Sequence, residues 1–176
     1  MQISHDFTDY SQQFYYCNCQ AARMLGQALA ADEARLHEIK DAERAPRLLV
    51  VDDDSLHRMI ICRAAAKVGY VPVGAASYHE AAKLSQEGAF DCITLDIALG
   101  EHGGVELLRH LASVSCKAPI IVVSGCDDST LREALRVARS LKLNVAEPVR
   151  KPVDLTVLRY MLEGFRGQPS DPADPA

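Results

Sequence analysis

Several features are scarce in this 176-residue chain, and each scarcity removes a class of function. No apolar run approaches the roughly 20 residues needed to cross a bilayer, so a membrane-spanning role is not expected. No cluster of lysine or arginine interrupts a mildly acidic balance of net charge −5, so nucleic acid is not the expected partner. The opening residues, Met1-Gln2-Ile3-Ser4-His5-Asp6, lack the basic-then-apolar order of a signal peptide, and a cytoplasmic location is expected. Cys17 and Cys19 have no second pair at zinc-ligand spacing, which speaks against a structural zinc site. Cys62, Cys92 and Cys116 fall in apolar or helical patterns and are expected as small core or near-core residues.

What the chain does have is a set of polar residues at the ends of apolar runs. Asp52 and Asp53 follow Leu48-Leu49-Val50-Val51, Asp96 follows Cys92-Ile93-Thr94-Leu95, Ser124 follows Ile120-Ile121-Val122-Val123, and Lys151 follows the run from Val145 to Arg150. In a parallel sheet all strands point the same way, so strand-final residues gather at one edge, where ligands of open α/β folds bind. Three carboxylates, a hydroxyl and an amine are therefore expected in one pocket.

That combination has a chemistry. Carboxylates held close repel each other and call for a cation, and hard oxygen ligands suit Mg²⁺, which prefers one or two carboxylates together with phosphate oxygens. Asp96 is placed to attack phosphorus and form an acyl phosphate, a known form of carboxylate nucleophilic catalysis. Lys151 and the Ser124 hydroxyl would hold the oxygens of the incoming group, because phosphoryl transfer depends mainly on positioning and charge neutralisation.

On these residues the chain resembles the receiver domain of two-component response regulators. The matching segments are Val-Asp-Asp-Asp-Ser-Leu-His-Arg around Asp52 and Asp53, Leu-Asp-Ile-Ala-Leu-Gly around Asp96, Gly104 in Gly-Val-Glu-Leu-Leu, Ser124 in Val-Val-Ser-Gly, and Lys151-Pro152. No one of these short motifs is specific; five in order on strand-like runs are. The resemblance covers Ala45 to about Arg166. It implies a phosphoryl group accepted on Asp96 from a sensor histidine kinase or a phosphotransfer protein. It also implies Mg²⁺ held by Asp53, Asp96, Asp52 and the backbone carbonyl of Ala98, a cis peptide between Lys151 and Pro152, and output through protein contacts rather than enzymatic turnover.

Between the motifs, strands and helices alternate. Strands are expected at Arg47 to Val51, Val71 to Ala75, Cys92 to Leu95, from Pro119 and Ile120 onward, and at Asn144 to Val149. Ser55 reads as the N-cap of the first helix and Gly69 as its stop. Ser77 with Glu80 reads as a capping box for the second helix, which ends near Gly88. The third helix follows Gly103-Gly104 and buries Val105, Leu107, Leu108 and Leu111. The fourth is capped at Asp127, Asp128 or Ser129, and the fifth at Asp154. The expected fold is a doubly wound, five-stranded parallel α/β sheet of the flavodoxin-like receiver type, with right-handed crossovers.

Two departures bear on output. Receivers that signal through an aromatic side chain carry it three positions before the lysine, where this chain has Pro148. Ala98, two positions after Asp96, cannot orient an attacking water as an amide or acid could, so a long-lived phosphoryl form is expected. The stretch from Ser124 to Lys151 is long and suggests an extended fourth helix; Ser-Gly-Cys-Asp followed by a leucine and alanine helix resembles receivers attached to cyclic-di-GMP phosphodiesterase domains. Cys126 lies beside the expected pocket.

Residues 1–44 read as an N-terminal helical extension. Phe7, Tyr10, Phe14, Cys17, Ala21, Met24, Ala28 and Ala31 fall at alternating three and four spacing, an apolar seam expected to pack on its own receiver or to pair with a second copy or a partner. A homodimer would form through this helix or the fourth helix of the receiver. His37-Glu38 is similar to a kinase phosphoacceptor site in that pair alone, without the surrounding motif. Residues 167–176, rich in proline and aspartate, are expected to be disordered. Two other functions stay open: a receiver that binds partners without phosphorylation, and a haloacid dehalogenase-type phosphatase using Asp52-x-Asp54, although no further acidic pair follows Lys151.

Overall fold

The computed structural model describes residues 45–100 and 103–166, and the chain divides into two units between Arg44 and Ala45. The expectations placed on residues 1–44 and 167–176, including the apolar seam, Cys17, Cys19, His37 and the N-terminal dimer face, lie outside the described residues. Five strands alternate with five helices: β1 Arg47–Val51, α1 Ser55–Lys67, β2 Val71–Ala75, α2 Tyr78–Glu87, β3 Cys92–Leu95, α3 Gly103–Ser113, β4 Ile120–Ser124, α4 Asp128–Ser140, β5 Val149–Arg150 and α5 Leu155–Phe165. All pairings are parallel and the strand order is β2-β1-β3-β4-β5, a doubly wound sheet. Strand order reverses between β1 and β3, which opens a crevice at their carboxyl ends.

Period-two alternation divides the core between the two faces. Leu49, Val51, Ile93, Leu95, Ile120 and Val122 meet Leu107, Leu108 and Leu111 of α3 and Leu131, Ala134, Leu135 and Ala138 of α4. Leu48, Val50, Cys92, Ile121, Val123 and Val149 meet Ile61 and Ala65 of α1 and Leu158 and Leu162 of α5. Both faces are covered, and the central strands accordingly read as continuous apolar runs.

The helix starts follow side-chain chemistry. Ser77 accepts from the Glu80 amide while the Glu80 carboxylate reaches back to the Ala76 amide at 2.7 Å. Asp127 caps α4 and Asp154 caps α5. α1 corrects the expectation: its cap is Asp54, which accepts from Leu56 and His57, and Ser55 is already helical. The Asp52 carboxylate holds the Asp54 amide, which starts the turn one residue early. Gly69, at φ +84°, ends α1 in a left-handed conformation that glycine adopts without strain.

β5 is the larger correction. Instead of a strand over Asn144 to Val149, the segment makes a single bridge at Val145 to Ile120 and then pairs only at Val149 and Arg150. Pro148 has no N–H for the ladder and restricts the residue before it, so the pairing breaks there. β4 begins at Ile120, with Pro119 contributing its carbonyl to Ile93. Among the described residues no helix is long and apolar enough to cross a membrane.

Candidate functional site

The sheet ladder runs one residue beyond the strands and fixes two aspartates. The Asp52 amide donates to the Ala75 carbonyl and the Asp96 amide to the Val51 carbonyl, at 3.2 and 2.9 Å. Both side chains are nearly closed off from solvent, Asp52 1% and Asp96 4% exposed, whereas Asp53 is exposed. Oxygens of Asp52, Asp53 and Asp96 all lie within 4.8 Å of one another.

Lys151 enters from the far side. Its Nζ donates to Asp52 Oδ2 at 2.8 Å and to Asp96 Oδ2 at 2.7 Å. The remaining oxygens are turned inward by amides, Asp54 N–H on Asp52 Oδ1 and Ala98 N–H on Asp96 Oδ1. Burial alone would pull the Lys151 ammonium down, but the hydrogen bonds and charges of Asp52 and Asp96 outweigh it and hold the amine above its ordinary value. Lys151 is therefore a fixed cation between two buried carboxylates. Three carboxylates still face this one ammonium, an imbalance that a divalent, oxygen-preferring cation would correct. Receiver domains typically bind Mg²⁺ at such an acidic pocket, and these residues fit it.

The loop after Asp96 is held by close backbone contact. A Cβ on Gly104 would lie 2.6 Å from the Asp96 carbonyl and 2.7 Å from Ile97 Cα, so only glycine lets α3 start this close. The amides of Gly103 and Gly104 donate to Leu99 and Ile97. On the opposite wall, the Arg58 guanidinium donates to the Asp52 carbonyl at 2.6 Å and pins the acidic loop onto α1.

The structure thus brings Asp52, Asp53, Asp96 and Lys151 together. The Lys151–Pro152 peptide is cis, as the resemblance implied. Ser124 ends β4, fully buried, and its carbonyl accepts from the Lys151 amide at 3.1 Å. Its hydroxyl, however, is joined to Cys126: it donates to Sγ at 2.9 Å and accepts from the Cys126 amide at 3.2 Å. Asp54 is exposed, with its carboxylate engaged by the first amides of α1.

Sequence reasoning missed Arg58 and Arg150. Arg58 stands one helical turn after the Asp54 cap, a spacing from which a long cation reaches back to the loop before the helix. Arg150 directly precedes Lys151, and strand alternation sends it to the other side. The four cysteines among the described residues are free; Cys92 is buried and its thiol is pushed up to about 12 by that burial, while burial also raises Cys62 and Cys116.

Residues 48–163 match the family model described as response regulator receiver domain. The transcriptional regulatory protein DcuR of Escherichia coli K12 is 30% identical over 123 residues, covering 68% of this chain and 49% of that protein. The regulator of RpoS from the same strain is 28% identical over 117 residues, covering 66% of this chain and 33% of that protein. The chain therefore spans about half or less of the length of these curated relatives. Among solved structures, a CheY-like receiver domain protein from Methanospirillum hungatei superimposes with TM-score 0.61 at 23% identity, covering 69% of this chain and 94% of that one. A Burkholderia pseudomallei response regulator with a phosphorylated aspartic acid, calcium ion and citrate gives TM-score 0.58 at 25% identity, covering 66% of each chain.

Proposed function

The chain belongs to the response regulator receiver domain family, and from that premise we propose that it accepts a phosphoryl group on Asp96 and signals through protein contacts. The observation that carries this is the Lys151 ammonium bridging Asp52 and Asp96, with an Asp53 oxygen within 4.8 Å of theirs. A sensor histidine kinase or phosphotransfer protein is the donor. One carboxylate oxygen of Asp96 attacks phosphorus, the bond from phosphorus to the donor's imidazole nitrogen breaks, and the imidazole leaves; an acyl phosphate on Asp96 results.

Each neighbour has a task in that step. Lys151 neutralises an oxygen of the transferring group while keeping its contact to the acceptor carboxylate. Ser124 donates its hydroxyl hydrogen to a second phosphoryl oxygen. Asp52, Asp53 and Asp96, with the Ala98 carbonyl, would hold Mg²⁺, and the ion would supply charge neutralisation for the phosphoryl oxygens. Arg58 and Gly104 fix the two loops so that these groups stay aligned. The related Burkholderia protein, with its phosphorylated aspartic acid and calcium ion, supports this assignment by similarity.

Turnover is limited to the protein's own phosphorylation and dephosphorylation. Asp54, which a haloacid dehalogenase-type mechanism would use as its second aspartate, is already engaged in capping α1. The division into an extension over 1–44, a receiver over 45–166 and a tail over 167–176, a cytoplasmic location, and a homodimer through the N-terminal extension or α4 belong to the same proposal. Labelling with radioactive acetyl phosphate tests it. Label that requires Mg²⁺ and is released by hydroxylamine is the expected acyl phosphate; the absence of label contradicts the reading.

A further inference from the structure

The shortness of β5 concentrates its attachment at one end. Beyond the bridge at Val145, β5 meets β4 only through Val123↔Val149 and Ser124↔Arg150. Just there the Arg150 guanidinium donates to the Cys126 carbonyl at 2.5 Å and pairs with Asp128 at the start of α4. Gly125 rests on the lysine stem, its missing Cβ 3.6 Å from Lys151 Cβ. The turn Ser124-Gly125-Cys126 is thus held by two adjacent residues, by Arg150 at the Cys126 carbonyl and by Lys151 against Gly125. Within it, Cys126 engages the buried Ser124 hydroxyl twice, through Sγ and through its amide.

We propose that Cys126, with its backbone fixed by Arg150, is a positioning residue that commits the Ser124 hydroxyl hydrogen to sulfur until a phosphoryl group occupies Asp96. The inference rests on the reading of Asp96 as the phosphoacceptor. A hydroxyl has one hydrogen to give, so Ser124 cannot donate to Cys126 Sγ and to a phosphoryl oxygen at once. Thioether and thiol sulfurs are weak acceptors, whereas a hydrogen bond to an ionised oxygen is stronger. The exchange therefore favours the phosphoryl oxygen, but part of its gain offsets the lost sulfur contact. Cys126 tunes how readily Ser124 engages, and Arg150 sets how firmly the thiol is presented.

Beryllium fluoride, which mimics a phosphoryl group on aspartate, gives an equilibrium readout in the full chain at fixed Mg²⁺ by fluorine NMR. Cys126→Ala removes the competing acceptor and is expected to bind about threefold more tightly, the effect of one weak hydrogen bond. Cys126→Ser substitutes a better acceptor and is expected to bind more weakly than wild type. Arg150→Met loosens the clamp and shifts affinity in the direction of Cys126→Ala by less. In a Ser124→Ala background the three substitutions are expected to leave affinity unchanged, since they act through that hydroxyl. A merely structural role would move both Cys126 variants in the same direction and persist without Ser124; either result overturns the inference. Wild-type protein that binds no beryllium fluoride overturns the receiver reading and this inference together, whereas wild-type binding without the expected order overturns this inference alone. Thermal unfolding of each variant separates lost folding from altered affinity.

Discussion

Lys151 and Asp96 are joined by a 2.7 Å hydrogen bond although 55 residues separate them in sequence, and the same ammonium reaches Asp52 at 2.8 Å. The bond closes the pocket across the sheet, from β3 to the end of β5. It also means that two buried carboxylates depend on one cation.

Replacement of Lys151 by methionine is expected to expose that dependence. It leaves Asp52 and Asp96 facing each other without a counter-charge, at a cost of about 3 kcal/mol, because one partner of a buried pair is lost. Urea unfolding without Mg²⁺ measures the loss, and addition of Mg²⁺ is expected to restore part of it. An unchanged unfolding midpoint in both conditions would show that the pair carries no stability.

Alkaline pH acts in one direction on Lys151 and on the thiols that burial pushes up, Cys92 with the largest shift among them. Lys151 titrates above its ordinary value in the folded chain, so its stabilisation is complete below the unfolded value near 10.5 and is lost as pH rises through the folded one. The Cys92 thiol, pushed up to about 12 by burial, ionises in the unfolded chain first, from its ordinary value of 9.0, which lowers stability between those limits. Unfolding free energy measured against pH is therefore expected to fall above pH 9, with the early part of the fall reduced in Cys92→Ala. Iodoacetamide at pH 8 is expected to spare Cys92 in the folded chain; its prompt alkylation would contradict the burial argument.

Gly104→Ala tests the contact behind the acceptor loop. Its Cβ would stand 2.6 Å from the Asp96 carbonyl, and backbone cannot swing aside as a flexible side chain can. A loss of about 2 kcal/mol is expected, together with weaker Mg²⁺ binding, because relief comes from moving Asp96. Wild-type stability and Mg²⁺ affinity in this variant would mean that the loop yields freely.

The phosphoryl form is expected to outlast minutes. The side chain at Ala98 is exposed but offers no group to orient a water molecule against phosphorus. Ala98→Gln is expected to shorten the lifetime several-fold in a chase with Mg²⁺ present. Loss from the wild-type protein within seconds would contradict this account.

Most of the fold was legible because apolar runs ended on polar residues. Arg47–Val51, Val71–Ala75 and Cys92–Leu95 are strands as their patterns predicted, and the strand-final rule gathered Asp52, Asp96 and Lys151 correctly. Less legible were features set by tertiary hydrogen bonds. The α1 cap moved from Ser55 to Asp54 because a buried carboxylate claimed the Asp54 amide. The shortened β5 could have been read from Pro148, whose missing N–H interrupts a ladder. The partner of the Ser124 hydroxyl could not, since a hydroxyl rotor is oriented by neighbours that a sequence pattern does not specify.

The central claim is that Asp96 accepts a phosphoryl group, and intact-protein mass tests it most directly. Wild type and Asp96→Asn are incubated with acetyl phosphate, each with and without Mg²⁺. The account predicts a gain of one phosphoryl group in wild type with Mg²⁺, and none in the variant or without the ion. No gain in wild type, or an equal gain in Asp96→Asn, would contradict it.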